Sequence, residues 1–167
     1  RRPLLREAAL AIGSAITEGP GIKARSPETL RSLLAWFWLR EEVPLILAPR
    51  LDARGAKLRD ATLTYADLQG ASLSRADLTG ARLAETVFRG ADLVFARLVT
   101  ADLRGADLSE ADLSGADMSR ANLSAANLRG ACLRGASLRG AHLRGANLEG
   151  ADLRTTDLSE ADFASAN

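Results

Sequence analysis

From Ala56 to Phe163 the hydrophobic pattern has a period of five. The large apolar position falls at Leu58, Leu63, Leu68 and every fifth residue after that, through Phe88 and Met118, to Leu158 and Phe163. This makes 22 consecutive units without an insertion. Two residues before each large residue stands Ala in 20 units and Thr in two, Thr86 and Thr156. A single helix does not fit, because five residues rotate about 140° and scatter the leucines over every side. A single strand does not fit either, because an odd step flips successive leucines between faces. Within one unit, however, the Ala and the Leu are two apart, so a short extended piece points both the same way. The chain must then turn after each unit, always in the same sense. Gly closes ten of the units, among them Gly70, Gly80, Gly105 and Gly130, as a turn residue would. The pattern predicts a coil with Ala and Leu inside and three residues of each unit outside.

The A(D/N)Lxx run resembles the pentapeptide-repeat family over residues 56–163, about two-thirds of the chain. The resemblance implies an all-β solenoid, a right-handed quadrilateral β-helix with four units per coil. The 22 units then make about five and a half coils, a rod roughly 26 Å long at β-ladder spacing. A buried leucine contributes roughly 1.5–3 kcal/mol, and stability is shared between stacked neighbours, as in other solenoids.

Residues 1–50 carry no repeat and read as an N-terminal helical cap or docking segment ahead of a β-helix over 51–167. Leu5, Ala9, Ile12 and Ile16 form a helical stripe that Gly19-Pro20-Gly21 stops. Ser26-Pro27-Glu28 opens a second helix running to about Glu42. Its centre, Leu33 to Leu39, is apolar nearly all round and calls for burial on more than one side. Capping the open coil end is the simplest role for this two-helix segment. The sharper alternative has Trp36 and Trp38 anchoring a partner. The chain begins without Met and stops at Asn167, where the next Leu is due. That suggests a piece of a larger protein, or an open coil end through which two copies pair as a homodimer.

Charge narrows the function classes. The chain holds 22 basic and 21 acidic residues, which argues against direct nucleic-acid binding, since that needs a clustered basic excess. The apolar stretch Leu33 to Leu39 is too short to span a membrane. The lone Cys132 excludes an internal disulfide and fits a cytoplasmic setting. No catalytic, cofactor-binding or metal-ligating set emerges. His142 and Cys132 sit outward without a partner spaced to activate them. The many Asp residues follow the repeat register, and Asp or Asn beside a turn commonly accepts from backbone amides.

With four units per coil, residues twenty apart stack. The place before the Leu then reads Lys57, Asp77, Arg97, Asp117 up one face, which predicts an alternating salt ladder. The place after the Leu carries Arg129, Arg134, Arg139, Arg144 and Arg154. The first four lie in a run, Asn122 to Leu148, without an acid. They read either as a collar for an acidic partner or as solubilising surface. Val87, Val94, Phe95 and Val99 are apolar in outward places, next to the lapse Thr86-Val87-Phe88. They suggest a contact site for the N-terminal segment, a second subunit or another protein.

Together these features point to a non-enzymatic protein-interaction or structural scaffold with an unidentified protein partner. It could also be a module of a larger effector or regulator. The alternative is a DNA-mimicking, topoisomerase-binding (gyrase-binding) protein of the quinolone-resistance type, which resemblance to the family brings in. That role needs a strongly acidic rod, whereas residues 51–167 hold 14 basic and 16 acidic residues.

Overall fold

The computed structural model describes residues 50–167. The two expected helices, with Trp36 and Trp38, lie outside the described residues.

Each five-residue unit places its residues in five distinct environments, numbered here from the Ala (place one, Ala56) to the turn residue (place five, Asp60). Places one and three are buried through the middle of the rod, where Leu78 to Leu143 and the intervening alanines are 0–1% exposed. Places two, four and five face outward. Nineteen parallel bridges join place-two residues, and every one links residue i to residue i+20. A turn follows each unit, so a coil has four units, four corners and twenty residues. The four-unit register expected from the resemblance is therefore seen directly in the backbone pairing.

The reason for the period lies in the backbone hydrogen bonds. The place-three N–H donates to the next coil, as from Leu78 to Arg97 (2.7 Å), and the place-five N–H does the same, as from Gly80 to Val99 (2.9 Å). The place-two N–H donates back to the previous coil, as from Asp77 to Ala56 (2.9 Å). The place-one N–H closes the turn onto the preceding place three, as from Ala81 to Leu78 (3.0 Å). That closed turn has a positive φ at its third residue, the signature of type II. All 24 place-five residues adopt it, 11 glycines and 13 others. Glycine is thus favoured at the corner but not required, and residues such as Phe95 (φ 55) and Thr100 (φ 56) carry local strain there.

The first bridged residue is Asp52, one unit ahead of the repeat's visible start. In that unit the sizes are exchanged: Leu51 takes place one, and Ala53, 3% exposed, takes place three. The swap hides the unit from a search for leucine every five residues.

Two interior lapses are absorbed without loss. Phe88 is fully buried at place three. Thr86, also fully buried, donates its hydroxyl to the Leu63 carbonyl at 2.7 Å, and Thr156 does the same to Leu133. Among the described residues no buried side-chain polar atom lacks a partner.

Candidate interaction surface

The four outward faces are numbered in chain order by their place-two columns. Face one carries Asp52, Ser72, Asp92, Asp112, Cys132 and Asp152. Face two carries Lys57, Asp77, Arg97, Asp117, Ser137 and Asp157. Face three carries Thr62, Arg82, Asp102, Asn122, His142 and Asp162, and face four Asp67, Val87, Asp107, Asn127 and Asn147.

The aspartates are committed to structure. The place-four N–H is the one backbone donor that neither the stack nor the turn uses. The place-two Asp or Asn carboxyl or amide oxygen accepts it, as from Gln69 to Asp67 (3.0 Å), Ser114 to Asp112 (3.0 Å) and Ser124 to Asn122 (3.1 Å). Where place four is Ser or Thr, its hydroxyl donates to the same oxygen, as Ser119 does to Asp117 at 2.6 Å. Such bonds favour the ionised carboxylate. The hydroxyl of Ser159, helped by its amide, holds Asp157 below its ordinary value. Arg104 lowers Asp102 and Arg54 lowers Asp52 by paired hydrogen bonds. Burial pushes the Asp77 carboxyl up, but Thr79 and Arg59 outweigh it and the net shift is downward. The expected role of these residues as acceptors for turn amides is what the hydrogen bonds display.

The salt ladder of face two is corrected in part. Lys57, Asp77, Arg97 and Asp117 do stack in one column. Yet the ion pair that forms is Arg59 with Asp77 at 3.4 Å. No ion pair among the described residues involves Lys57 or Arg97. The reason is that Asp77 and Asp117 are drawn sideways onto Thr79 and Ser119 of their own units. One oxygen of each carboxylate is thereby held by its own turn.

The arginine collar occupies one coil. Arg129-Gly130, Arg134-Gly135, Arg139-Gly140 and Arg144-Gly145 stand at its four successive corners. The acid-free run is neutralised from the following coil. Arg129 pairs with Glu149 (3.4 Å), Arg139 with Glu160 (3.0 Å), and Arg134 shares the Asp152 carboxylate with Arg154 at 2.5 and 2.6 Å. The hydrogen bond to Asp152 raises the Arg134 pKa. Arg144 joins no ion pair among the described residues. Sequence order concealed this, because partners 18 to 21 residues away in sequence are neighbours in the stack.

The apolar group is placed as follows. Val87 is half-buried on face four, away from the rest. Val94 and Phe95 stand at the corner between faces one and two, and Val99 at the corner between faces two and three, so they flank Arg97 on both sides. Val94 and Val99 are half-buried, while Phe95 is 57% exposed. The Phe95 ring lies across Gly115 of the next coil, where a Cβ would collide with it. The Arg75 guanidinium sits over the ring, 5.9 Å from its centroid. This is one case of a corner rule that the sequence pattern did not reveal. Asp60, Glu85 and Arg120 likewise lean over Gly80, Gly105 and Gly140 one coil on. Tyr65, 56% exposed, is a second outward aromatic that the sequence reading passed over.

His142 is exposed, and Cys132 is half-buried with its sulfur 3.1 Å from the Ser114 hydroxyl. Among the described residues no group of His, Cys, Asp or Glu has a metal-holding arrangement, and no helix is long and apolar enough to cross a membrane.

A four-cornered parallel coil whose surface chemistry is spent on its own turns defines a β-solenoid repeat protein. Comparison with known proteins gives the family. The family model described as "Pentapeptide repeats (8 copies)" matches residues 50–80, 66–105, 101–140 and 136–167, and the chain belongs to the pentapeptide-repeat family. Its members with solved structures are right-handed quadrilateral β-helices. No curated protein matches the chain. Among solved structures, HetL from the cyanobacterium Nostoc sp. PCC 7120, involved in heterocyst differentiation regulation, is 35% identical with a TM-score of 0.51. The match covers 72% of this chain and 62% of HetL, so the chain spans less than two-thirds of that relative. AT2G44920, from the Arabidopsis thaliana thylakoid lumen, is 44% identical with a TM-score of 0.57, over 57% of this chain and 67% of that one. The Nostoc protein alr5209 is 35% identical with a TM-score of 0.51, over 68% and 81%.

Proposed function

We propose that this chain is a non-enzymatic scaffold for protein interaction. It is a right-handed rod of nearly six coils over residues 51–167, at twenty residues per coil, preceded by a two-helix segment that caps or docks, and it works in a reducing, cytoplasmic setting. The observation that carries the reading is the division of labour on its surface. The aspartates are held by turn amides, and most of the arginine collar by axial ion pairs. Among the residues left to present outward, Phe95, 57% exposed, stands with the half-buried Val94 and Val99 around Arg97 as the densest apolar group. An exposed aromatic over a rigid backbone is a low-entropy anchor for a partner. Val87, on another face, and Trp36 and Trp38, in the N-terminal segment, are secondary contacts in this reading. The collar arginines Arg129, Arg134 and Arg139 contribute little, because their carboxylate partners are already supplied.

Pull-down with the wild type and with Val94→Asp/Phe95→Asp tests the reading. Loss of the captured protein with the coil intact by circular dichroism is the expected result. Unchanged capture removes the patch from the function. A DNA-mimicking role is disfavoured, because 14 basic residues interleave with 16 acidic ones along residues 51–167. Excess protein is expected to leave gyrase supercoiling unchanged, with or without a quinolone.

A further inference from the structure

Face two alternates in charge over four successive levels, as no other face does, and is electrostatically complementary to itself. Its place-two column runs Lys57, Asp77, Arg97, Asp117, with bridges fixing the order and levels about 4.8 Å apart. A two-fold axis crossing the face between Asp77 and Arg97 turns a second rod antiparallel to the first. It sets Lys57 against the other copy's Asp117 and Asp77 against its Arg97. Both pairs then occur twice by symmetry. The corner columns follow the same operation. At the edge shared with face three, Asp60 meets Arg120. At the edge shared with face one, Arg75 meets Phe95. No like charges meet within these columns.

The other faces do not behave this way. Faces one and four carry no lysine or arginine in the place-two column. Face three has a single cationic Arg82 in its place-two column, and its neighbour Asp102 is held by two hydrogen bonds from Arg104 at 2.7 Å, a tighter hold than the single 3.4 Å contact of Arg59 with Asp77. Face two also bears the apolar group: Phe95 at one edge and Val99 at the other, on the same coil. In addition, Lys57 and Arg97 have no ion-pair partner among the described residues.

We propose that face two, from Lys57 to Asp117, is a self-association surface on which a second copy of this chain docks antiparallel, about a two-fold axis between Asp77 and Arg97. The proposal rests on reading the Phe95 group as a contact and assigns its occupant. The interface is isologous, so each contact is made twice. In it, Arg97 acquires the carboxylate its own column denies it. The two Arg75–Phe95 pairs join into one four-member cation–π cluster. The contact spans only four levels, so it belongs with weak, salt-sensitive associations rather than obligate dimers.

Sedimentation velocity of the whole chain at rising concentration tests this. Dimer is expected at low salt, and monomer at about 1 M salt, where the Debye length falls to about 3 Å. Arg97→Asp alone and Asp77→Arg alone each place like charges face to face twice, and both are expected to be monomeric. Their equimolar mixture restores every opposite pair and is expected to dimerise. Lys57→Asp mixed with Asp117→Lys gives a second complementing set. Asp77→Arg and Asp117→Lys each remove a turn acceptor, whereas Arg97→Asp and Lys57→Asp remove none, and circular dichroism checks each fold. A wild type that stays monomeric at low salt overturns the proposal. So does a dimer that survives Arg97→Asp or fails to reform on mixing. A monomeric wild type whose pull-down partner still depends on Val94 and Phe95 sinks the self-pairing alone and leaves the scaffold reading standing.

Discussion

Leu138 and Leu158 occupy the same place of the same face, one coil apart. Leu138 is fully buried and donates its N–H to the Asp157 carbonyl at 2.8 Å. Leu158 is partly exposed and, within residues 50–167, is stacked on one side only. Leu153 and Phe163 share that condition, and Leu148 is likewise partly exposed although its N–H still reaches the Asn167 carbonyl at 2.9 Å. The unit thus determines which way a leucine points, and the neighbouring coil determines whether pointing inward buries it. Stability in such a rod comes from interfaces between coils, each of which depends on the next.

The sharpest way to break that comparison is to truncate both kinds of leucine. Leu123→Ala is expected to cost about 2–5 kcal/mol, the range for a fully buried site. Leu158→Ala is expected to cost about 1 kcal/mol, because less apolar area is lost. Equal costs in urea denaturation would show that burial is not the operative difference.

The corners give the next effect. Gly145→Ala keeps open space but forces an alanine into φ 67, a cost of about 1–2 kcal/mol. Gly115→Ala adds a collision with the Phe95 ring, so it should cost more, and the excess should vanish in a Phe95→Ala background. A double-mutant cycle read by thermal melting checks this; additive losses would remove Phe95 from the packing of its corner.

The two inward threonines, Thr86 fully buried and Thr156 half-buried, repeat the interior-versus-end contrast on a smaller scale. Thr86→Val should cost about 0.5–1.5 kcal/mol for its lost hydrogen bond. Thr156→Val, partly exposed, should cost less, because water can replace that bond. The Leu63 carbonyl keeps the Ala66 N–H and the Leu133 carbonyl keeps the Ala136 N–H, both at 3.0 Å, so neither change should unfold the rod.

The smallest effect is graded with pH. Asp52, Asp77, Asp102 and Asp157 are all lowered from 3.8 in the folded coil. Their stabilisation is therefore complete above the unfolded value. It is lost as pH falls below 3.8 and through the lower folded values. Melting temperature should be flat near neutrality and drop in acid. Asp102→Asn should flatten part of that drop; an unchanged profile would mean Asp102 does not contribute.

Much of this was legible in the sequence because the rod is built from one short-range rule. The inward Ala and Leu, the turn after each unit and the amide-accepting Asp all follow from contacts within five residues. The first unit escaped notice because Leu51 and Ala53 exchange places, so the total volume is kept while the spelling changes. The ion pairs of the collar escaped because Arg139 and Glu160 are 21 residues apart in sequence and adjacent in the stack. The glycine beneath Phe95 escaped for the same reason: Gly115 reads as a turn residue, and only stacking shows what lies over it.

By itself, then, the sequence determined the repeat, the direction of each side chain and the four columns once the twenty-residue register is granted, because these depend on local geometry and periodicity. Only the tertiary structure decided which charges are satisfied. It turned Asp77 and Asp117 onto their own turns, closed the collar with acids from the next coil, and left Arg97 flanked by Phe95 and Val99. Side-chain partners depend on angstrom-scale competition between a near turn amide and a distant guanidinium, and a five-letter pattern carries no record of which one wins.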